Sequence, residues 1–456
     1  MNARRGLAWA APPVADLPTA FAGAMASLGP FEAHPRLAIA TSGGADSTAL
    51  ALLARDWATG QGGGVQAFIV DHRLRPDSTA EADVTARRLA SLSVPATILT
   101  LSGLQRGPAL AERARIARYA ALTAACRAGG FLHLLLGHHA ADQAETLAMR
   151  VLRDSGNSGL AGMPAVAETR DIRLLRPLLL VPPGILRGFL EARGIAWVED
   201  PSNRDPAALR VRLRDRLTRT DPMCLVAASI MAGCARSASE AATAVSLAAI
   251  ATIRPEGVAL LPRGPIRVET LAALVQTIGG APYPPAGRTL VLLAAAPRPA
   301  TLAGVRILES RGRLMLVREE AAMAPPVTAR AGVRWDGRMR LLGSLPPGRE
   351  GITIGALGNA ASRFRRASLL PAAALRTLPA LWLGQELLAV PHLRHAADVA
   401  LKRVRFVFEP PRPAAGAAFR PISGWDSPAP AQSSPDRVFS GMSSPTGVQG
   451  SASHTM

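Results

Sequence analysis

The sequence predicts an α/β fold whose N-terminal half is a doubly wound, mostly parallel sheet, followed by a smaller helical region and a β-containing C-terminal region. Three observations predict the sheet. Short aliphatic runs alternate with stretches of helical periodicity from about residue 36 onward. Polar side chains follow the ends of several runs, as at the carboxyl edge of a parallel sheet. A glycine-rich segment joins the first run to its helix, which is typical of loops that hold an anion.

The alternation can be followed element by element. "RLAIA" (36–40) predicts a buried strand, and "STALALLARDWA" (47–58) predicts the helix after it. The next predicted strands and helices, in order, are "VQAFIVD" (65–71), "TAEADVTARRLASL" (79–92), "ATILTL" (96–101), "LAERARIARYAALTAACRAG" (110–129), "FLHLLLG" (131–137) and "ADQAETLAMRVLRDSG" (141–156). Strand–helix units in succession favour parallel pairing, because each helix carries the chain back to the same edge of the sheet.

Composition divides the chain further. We predict a catalytic domain over residues 1–218, a mostly helical region over 219–325 and a β-containing region over 326–409. Residues 410–456 are rich in Pro, Ser, Gly and Ala with few large apolar side chains, which predicts a disordered tail.

Charge and cysteine content narrow the class of protein. The formal net charge of +19 and a pI near 11.5 indicate a polyanionic partner, although a basic composition bias alone would give the same totals. Three cysteines without a C-x-x-C pair argue against a disulfide framework, a zinc site or an iron–sulfur cluster. No uninterrupted apolar run reaches the roughly 18 residues of a membrane span. We therefore expect a cytoplasmic protein that does not cross a membrane.

The glycine-rich segment is "SGGADS" (42–47). Gly43 and Gly44 allow main-chain N–H groups to approach an anion at a helix N-terminus. Asp46 stands in the region where the loop of nucleotide hydrolases carries a lysine. An acid beside a triphosphate suits a bound Mg²⁺ or a cationic second substrate. The alternative is a plain glycine turn in which Asp46 or Ser47 caps the helix.

Other polar residues at predicted strand ends have two readings each. Asp71 and His72 either line a nucleotide site or end their strand. His138 and Asp142, four residues apart, could bind a metal, but a transition-metal site needs a further ligand. The arginines of "ARIARY" (114–119) either stabilise phosphate charge or form a solvated charged helix face.

Several ordered segments resemble a known family. "SGGADS" is similar to the S-G-G-x-D-S loop of the PP-loop ATP pyrophosphatases. Within that superfamily, the tRNA(Ile)-lysidine synthetase family is resembled by "VDHRLRPDSTAEA" (70–82), "ARIARY" (114–119), "GHHAADQAETLAMRVLRDSGNSGLAGM" (137–163), "RPLL" (176–179) and "WVEDPSN" (197–203). The resemblance covers roughly residues 33–217. It departs from the family pattern at Asp154, where glycine is usual, and at Val211, where asparagine is usual.

The resemblance implies a reaction. ATP, with Mg²⁺, adenylates the C2 oxygen of the wobble cytidine of an isoleucine tRNA with a CAU anticodon, and free L-lysine then displaces AMP to form lysidine. The implied catalytic residues are Asp46, Asp142, Arg115 and Arg210. The implied ATP site comprises Ser42, Gly43, Gly44, Ala45, Asp46, Ser47, Asp71, His72 and His138. The implied substrate and tRNA contacts are His139, Glu145, Arg118 and Arg214, and Asp46 is the implied Mg²⁺ ligand.

Three alternatives stand beside this reading. A PP-loop tRNA thiolase adds sulfur, but such relatives usually rely on paired cysteines or a cluster. A small-molecule amide-forming relative would leave the charge and the C-terminal half unexplained. A non-catalytic nucleotide- or RNA-binding module would carry a degenerate loop, which the intact Asp46, Asp142 and Arg115 disfavour. The sequence leaves open whether the protein is a homodimer.

Overall fold

The computed structural model describes residues 16–105, 107–153, 155–199, 222–346 and 350–422. These residues divide into two compact units. The first contains residues 16–142 and 170–199 together with Ile422, and the second contains residues 143–169 and 222–421, with the gaps just given. The predicted boundary at residue 218 lies outside the described residues.

The helices and strands alternate through the first half of the chain. In chain order they are α1 (Leu17–Leu28), β1 (Arg36–Thr41), α2 (Ala45–Gly60), β2 (Gly64–Asp71), α3 (Ser78–Ser91), β3 (Ala96–Thr100), α4 (Leu110–Gly129), β4 (His133–Leu136), α5 (Ala140–Val151), α6 (Asn157–Leu160), β5 (Val166–Glu168), β6 (Arg173–Leu175) and α7 (Pro183–Glu191).

The first unit is built on a parallel sheet in which neighbouring strands follow the order β3-β2-β1-β4-β6. Strand β1 pairs in parallel with both β2 and β4. Strands β2 with β3 and β4 with β6 are also parallel. The chain order is therefore interrupted between β1 and β4, which places the carboxyl ends of these two strands side by side at the point where ligands bind in such sheets. The predicted fold class is confirmed.

Burial explains why these segments form a central layer. Leu37 and Ile39 of β1 are fully buried, as are Leu50 and Ala54 of α2. Both faces of β1 are covered, which is why its sequence reads as an apolar run without alternation. Helix α1 covers the unit with Leu17, Phe21 and Met25, spaced four residues apart along one face.

The second half of the chain adds helices and short strands. They are α8 (Pro222–Ile250), β7 (Thr252–Arg254), β8 (Val258–Leu261), α9 (Val268–Gly279), α10 (Arg288–Ala295), β9 (Ala300–Leu302), β10 (Val305–Ser310), β11 (Arg313–Arg318), β12 (Val327–Thr328), β13 (Arg334–Trp335), β14 (Met339–Leu342), β15 (Ile352–Ala356), α11 (Ala372–Arg376), β16 (Pro379–Leu383), β17 (Glu386–Val390), β18 (His395–Ala396) and β19 (Arg405–Phe408).

The second unit contains three antiparallel sheets. Their strand orders are β7-β8-β11-β10-β9, β12-β15-β16-β17-β18 and β13-β14-β19. The region predicted as mostly helical, 219–325, thus holds α8, α9 and α10 and also a five-stranded sheet. The predicted tail boundary at residue 410 falls inside this unit, where Phe419 is buried. The predicted tail beyond residue 422 lies outside the described residues.

A buried ion cluster fastens the second unit internally. Asp336 accepts hydrogen bonds from Arg318 Nε at 3.0 Å and from Arg338 Nε at 2.8 Å. Although burial alone would raise the pKa of Asp336, the hydrogen bonds and charges of the two arginines lower it below its ordinary value. The cluster joins β11 to the turn between β13 and β14. Among the described helices, none is both long and apolar enough to cross a membrane.

Candidate active site

The loop between β1 and α2 has a shape that one of its glycines makes possible. Gly43 has φ +84°, in the left-handed region that other residues rarely adopt. A Cβ at this position would lie 2.4 Å from Oγ1 of Thr85, on α3. Backbone conformation and space therefore both require glycine. Gly44 is different, because its φ is −71° and the nearest atom to a Cβ there would be 3.5 Å away.

Side chains of α2 hold the loop from within. The Ser42 main-chain N–H donates to Ser47 Oγ at 3.2 Å, and Ser47 Oγ donates to the Gly44 carbonyl at 3.1 Å. The loop residue Gly43 also accepts a hydrogen bond from the Val198 main-chain N–H at 2.8 Å. Helix α2 begins at Ala45 with no side-chain cap at its N-terminus. The first turn of α2 therefore keeps N–H groups for an anion, as the phosphate-loop prediction requires.

The carboxyl end of β4 lies against this turn. A Cβ at Gly137 would come within 3.3 Å of Ser47 Cα, so the glycine permits close approach of the two segments. His138, His139 and Asp142 follow directly in the chain. The glycine of "GHHAAD" (137–142) is thus part of how this segment reaches the phosphate loop.

His139 lies between the two predicted catalytic carboxylates. Its Nε2 is 3.5 Å from Asp46 Oδ2, and its Nδ1 is 3.5 Å from Asp142 Oδ2. The His139 side chain is only 9% exposed, whereas that of Asp46 is 35% exposed. The structure therefore brings Asp46, His139 and Asp142 together at one edge of the sheet. His139 is buried beside these carboxylates, and its contact with substrate or tRNA stays a prediction.

His138 lies among arginines. Burial lowers the pKa of His138 to about 4, and the nearby charge of Arg176 contributes to that shift. Arg115 and Arg118 act in the same direction. Within the described part of the chain, His138 Nδ1 is buried and has no hydrogen-bond partner. A neutral imidazole beside several guanidinium groups fits a site that receives a negatively charged group.

Arg115 and Arg118 share a ring contact. Their guanidinium carbons lie 5.0 Å and 5.6 Å from the ring centroid of Tyr119. Arg118 also lowers the pKa of His72, in addition to the larger effect of burial. Arg118 is half-buried near the strand-end histidines, whereas Arg115 is exposed to solvent.

Arg176 is a residue that the sequence prediction did not assign. It follows β6 and is only 6% exposed, although it carries a charge. Burial lowers the pKa of Arg176, and the neighbouring Tyr119 partly opposes that shift. Its signal was present in the "RPLL" segment (176–179). A buried arginine at the carboxyl end of a strand, beside His138, belongs with the predicted site.

Asp71 is hydrogen-bonded within its own loop, and its place in the ATP site stays a prediction. Its Oδ1 accepts hydrogen bonds from the Arg73 main-chain N–H at 2.9 Å and from Ser78 Oγ at 2.7 Å, and its Oδ2 accepts one from Thr79 Oγ1 at 2.7 Å. Burial opposes ionisation, yet these hydrogen bonds lower the pKa of Asp71. The carboxylate organises the loop from β2 into α3, where His72 lies.

The chain is similar in sequence to known proteins. Residues 19–220 match the ATP_bind_3 family, described as a PP-loop domain. The chain is 38% identical over 380 residues to the tRNA(Ile)-lysidine synthase of Ruegeria pomeroyi, covering 79% of this chain and 90% of that protein. The synthase of Hyphomonas neptunium is 35% identical, with 64% and 83% covered. The chain belongs to the tRNA(Ile)-lysidine synthase family.

A third relative and one solved structure complete the comparison. The tRNA(Ile)-lysidine synthase of Mesorhizobium japonicum is 35% identical, covering 71% of this chain and 76% of that protein. The U34-tRNA thiolase NcsA from Methanococcus maripaludis has 16% identity and a TM-score of 0.39, covering 47% of this chain and 77% of that one. A TM-score this low carries no functional conclusion. The family match and the lysidine synthase relatives show that the chain is an ATP-using enzyme of the PP-loop family.

The remaining predicted residues of this lysidine synthase family member are Glu145 and a set that the structure does not describe. Glu145 is on α5 and is 2% exposed. Arg210, Arg214, Val211 and Asp154 lie outside the described residues.

The predicted magnesium ligand can be tested against the structure. Asp46 Oδ1 is buried and has no hydrogen-bond partner among the described residues, while Oδ2 faces His139. Among those residues, no cluster of three or more His, Cys, Asp or Glu side chains forms a dedicated metal cage. Mg²⁺ commonly takes one or two carboxylates together with substrate phosphates. Asp46 beside the phosphate loop fits that mode of binding.

Proposed function

We propose that this protein joins lysine to C2 of the wobble cytidine of an isoleucine tRNA with a CAU anticodon, using ATP. The observation that carries the proposal is the position of Asp46 and Asp142 on either side of His139, directly beside the phosphate loop. One carboxylate can serve the ATP side of the site while the other serves a cationic amine. Membership of the lysidine synthase family supports the same reaction.

In the first step the C2 oxygen of the cytidine attacks the α-phosphorus of ATP. A C2–O–P bond forms, the bond to the β-phosphate oxygen breaks, and pyrophosphate leaves. The N-terminus of α2 and the loop around Gly43 would hold the departing diphosphate through main-chain N–H groups. The arginines around His138 supply positive charge for the phosphates.

In the second step the ε-amine of lysine attacks C2. The new C–N bond forms, the C2–O bond breaks, and AMP departs with that oxygen. The amine must lose a proton before or during attack. Asp142 would hold the lysine ammonium group and help to take this proton, as a positioned carboxylate can.

When bound, Mg²⁺ neutralises phosphate charge, and Asp46 is the residue that would hold the ion.

A tRNA is a polyanion, which fits the chain's net charge of +19. The reacting base must leave the stacked anticodon loop to reach the sheet edge, which is the usual mode of single-stranded RNA recognition. We place the reaction in the cytoplasm, where ATP, lysine and tRNA meet.

No described feature favours the thiolase alternative. Cys126 is buried, and burial raises the pKa of its thiol to about 11. Such a thiol is a poor nucleophile. Cys224 and Cys234 are exposed and lie ten positions apart on α8, in the second unit.

One assay tests the proposal. The protein is incubated with Mg²⁺, ATP, labelled lysine and an isoleucine tRNA transcript with a CAU anticodon. We expect one lysine per tRNA, recovered at the wobble position after nuclease digestion. A transcript differing only by uridine at that position is the matched control and should remain unlabelled. Absence of label with retained tRNA binding would contradict the proposal and favour the non-catalytic module.

A further inference from the structure

His139 and Asp142 form a reciprocal cap at the start of α5. The Asp142 main-chain N–H donates to His139 Nδ1 at 3.4 Å, and the His139 main-chain N–H donates to Asp142 Oδ2 at 3.0 Å. The spacing of three residues and the exchange of two hydrogen bonds are those of a capping box, here with histidine in place of serine or threonine. Asp142 therefore has one carboxylate oxygen fixed by the backbone.

The cap also determines the tautomer of His139. Because an N–H group points at Nδ1, we assign that nitrogen as an acceptor and place the ring hydrogen on Nε2. Nε2 lies 3.5 Å from Asp46 Oδ2, a polar contact longer than an ordinary hydrogen bond. His139 thus contacts the Asp46 carboxylate through Nε2 and the Asp142 main-chain N–H through Nδ1.

Burial makes the arrangement rigid. The His139 side chain is 9% exposed, so its ring is enclosed by protein. Asp46 Oδ2 is turned towards the ring, and this leaves Asp46 Oδ1 as the oxygen without a partner among the described residues. The imidazole consequently sets which oxygen of Asp46 is available to a ligand.

We propose that His139 is a positioning residue that fixes Asp46 and Asp142 relative to each other through its two ring nitrogens. This inference rests on the proposed function, since it assigns Asp46 to the ATP side and Asp142 to the lysine side. His139 itself touches neither substrate in this scheme. Its two contacts are separable, because each can be kept while the other is removed.

Two substitutions separate the contacts. In His139→Asn the amide oxygen can replace Nδ1 as the cap acceptor, but the side chain is too short to reach Asp46. In His139→Gln the amide nitrogen can replace Nε2, whereas the cap acceptor is lost. The matched control is His34→Gln, at an exposed histidine before the opposite end of β1.

The experiment measures both sides of the site. Calorimetry gives the dissociation constant for ATP in the presence of Mg²⁺, and steady-state kinetics give KM for lysine. We expect His139→Asn to weaken ATP binding at least fivefold while the lysine KM stays within twofold. We expect His139→Gln to raise the lysine KM at least fivefold while ATP binding stays within twofold. A general loss of folding cannot produce opposite patterns in two variants.

The outcomes distinguish the two proposals. If both variants change both quantities by similar factors, or if neither differs from His34→Gln, the positioning role is overturned. If the wild-type protein forms no lysidine, the proposed function fails, and the ATP measurement still decides the Asp46 contact. Unchanged ATP binding in His139→Asn would then refute the inference by itself.

Discussion

At the scale of single residues, the site depends on groups kept in one charge state by their surroundings. His138 is the strongest case, because burial and the charge of Arg176 lower its pKa to about 4. A neutral imidazole there leaves the arginines as the positive groups. The sequence placed His138 at a strand end correctly, but its protonation depends on Arg176, which comes from a different strand and was not assigned.

The lowered pKa of His138 predicts a pH dependence of stability. The unfolded chain binds a proton at His138 below about pH 6.5, whereas the folded chain does so only near pH 4. The free energy of unfolding should therefore fall by about 3 kcal/mol as the pH is lowered through this window. Above about pH 6.5 His138 is neutral in both states, so the folded chain keeps its full stability there. In His138→Gln this part of the decline should be missing, as measured by urea unfolding at several pH values.

The control for this measurement is His34→Gln, because His34 is exposed. That variant should keep the pH dependence of the wild-type protein. Identical pH profiles for His138→Gln and the wild type would contradict the account of His138.

At the scale of elements, a segment could be predicted where its own sequence shows a clear hydrophobic pattern. Strands β1, β2 and β4 are apolar runs buried in the sheet, and their helices have clear periodicity, so order and type could be predicted. Strand β6 and the five strands within residues 219–325 span three to six residues and were not predicted. Their alternation is too short to stand out from the helical patterns around them, and pairing defines them.

Site residues could likewise be predicted only where their own segment contains a recognisable motif. The phosphate loop, His138, His139 and Asp142 follow one another in recognisable motifs. The capping box between His139 and Asp142 was readable in principle from their spacing of three residues. The burial of Arg176 was not readable, because it depends on the packing of β6 beside β4.

The phosphate loop gives a prediction at the element scale. Gly43→Ala places a methyl group 2.4 Å from Thr85 Oγ1 in a left-handed backbone. We expect it to lower the free energy of unfolding by about 2 to 4 kcal/mol, from backbone strain and overpacking together. Thermal and urea unfolding would measure the change.

The neighbouring glycine is the matched control. At Gly44, with φ −71° and 3.5 Å to the nearest atom, alanine should cost less than about 1 kcal/mol. Equal losses at the two positions would show that the shape of the loop does not depend on Gly43.

At the scale of the whole molecule, each unit has its own source of cohesion. The first relies on its parallel sheet, and the second includes the buried cluster of Asp336, Arg318 and Arg338. Asp336→Asn would leave Arg338, which is 1% exposed, as a poorly compensated buried charge. We expect the second unit to lose about 3 to 5 kcal/mol of stability. Faster hydrogen exchange in β11 and β14 would report this loss of stability.

A surface ion pair of the same unit serves as the control. Arg263 and Glu309 form a salt bridge in which both side chains are substantially exposed. Glu309→Gln should change stability by less than about 1 kcal/mol. If Asp336→Asn were equally mild, the buried cluster would not be what holds this part of the unit together.

The net charge of +19 gives a second prediction at this scale. Binding of tRNA should weaken about tenfold or more between 50 and 200 mM salt, because counterions return to the phosphates. Filter binding over a salt series measures the slope. Affinity that is independent of salt would show that the basic composition is not used for tRNA.

The central claim is that the tRNA base, and not lysine, is the group activated by ATP at the sheet edge. The most direct measurement uses ATP labelled on the α-phosphate in a single turnover without lysine. We predict that the label appears on the wobble cytidine of the tRNA and is released as AMP when lysine is added. Label found on lysine in the absence of tRNA, or no transfer to tRNA at all, would contradict the claim.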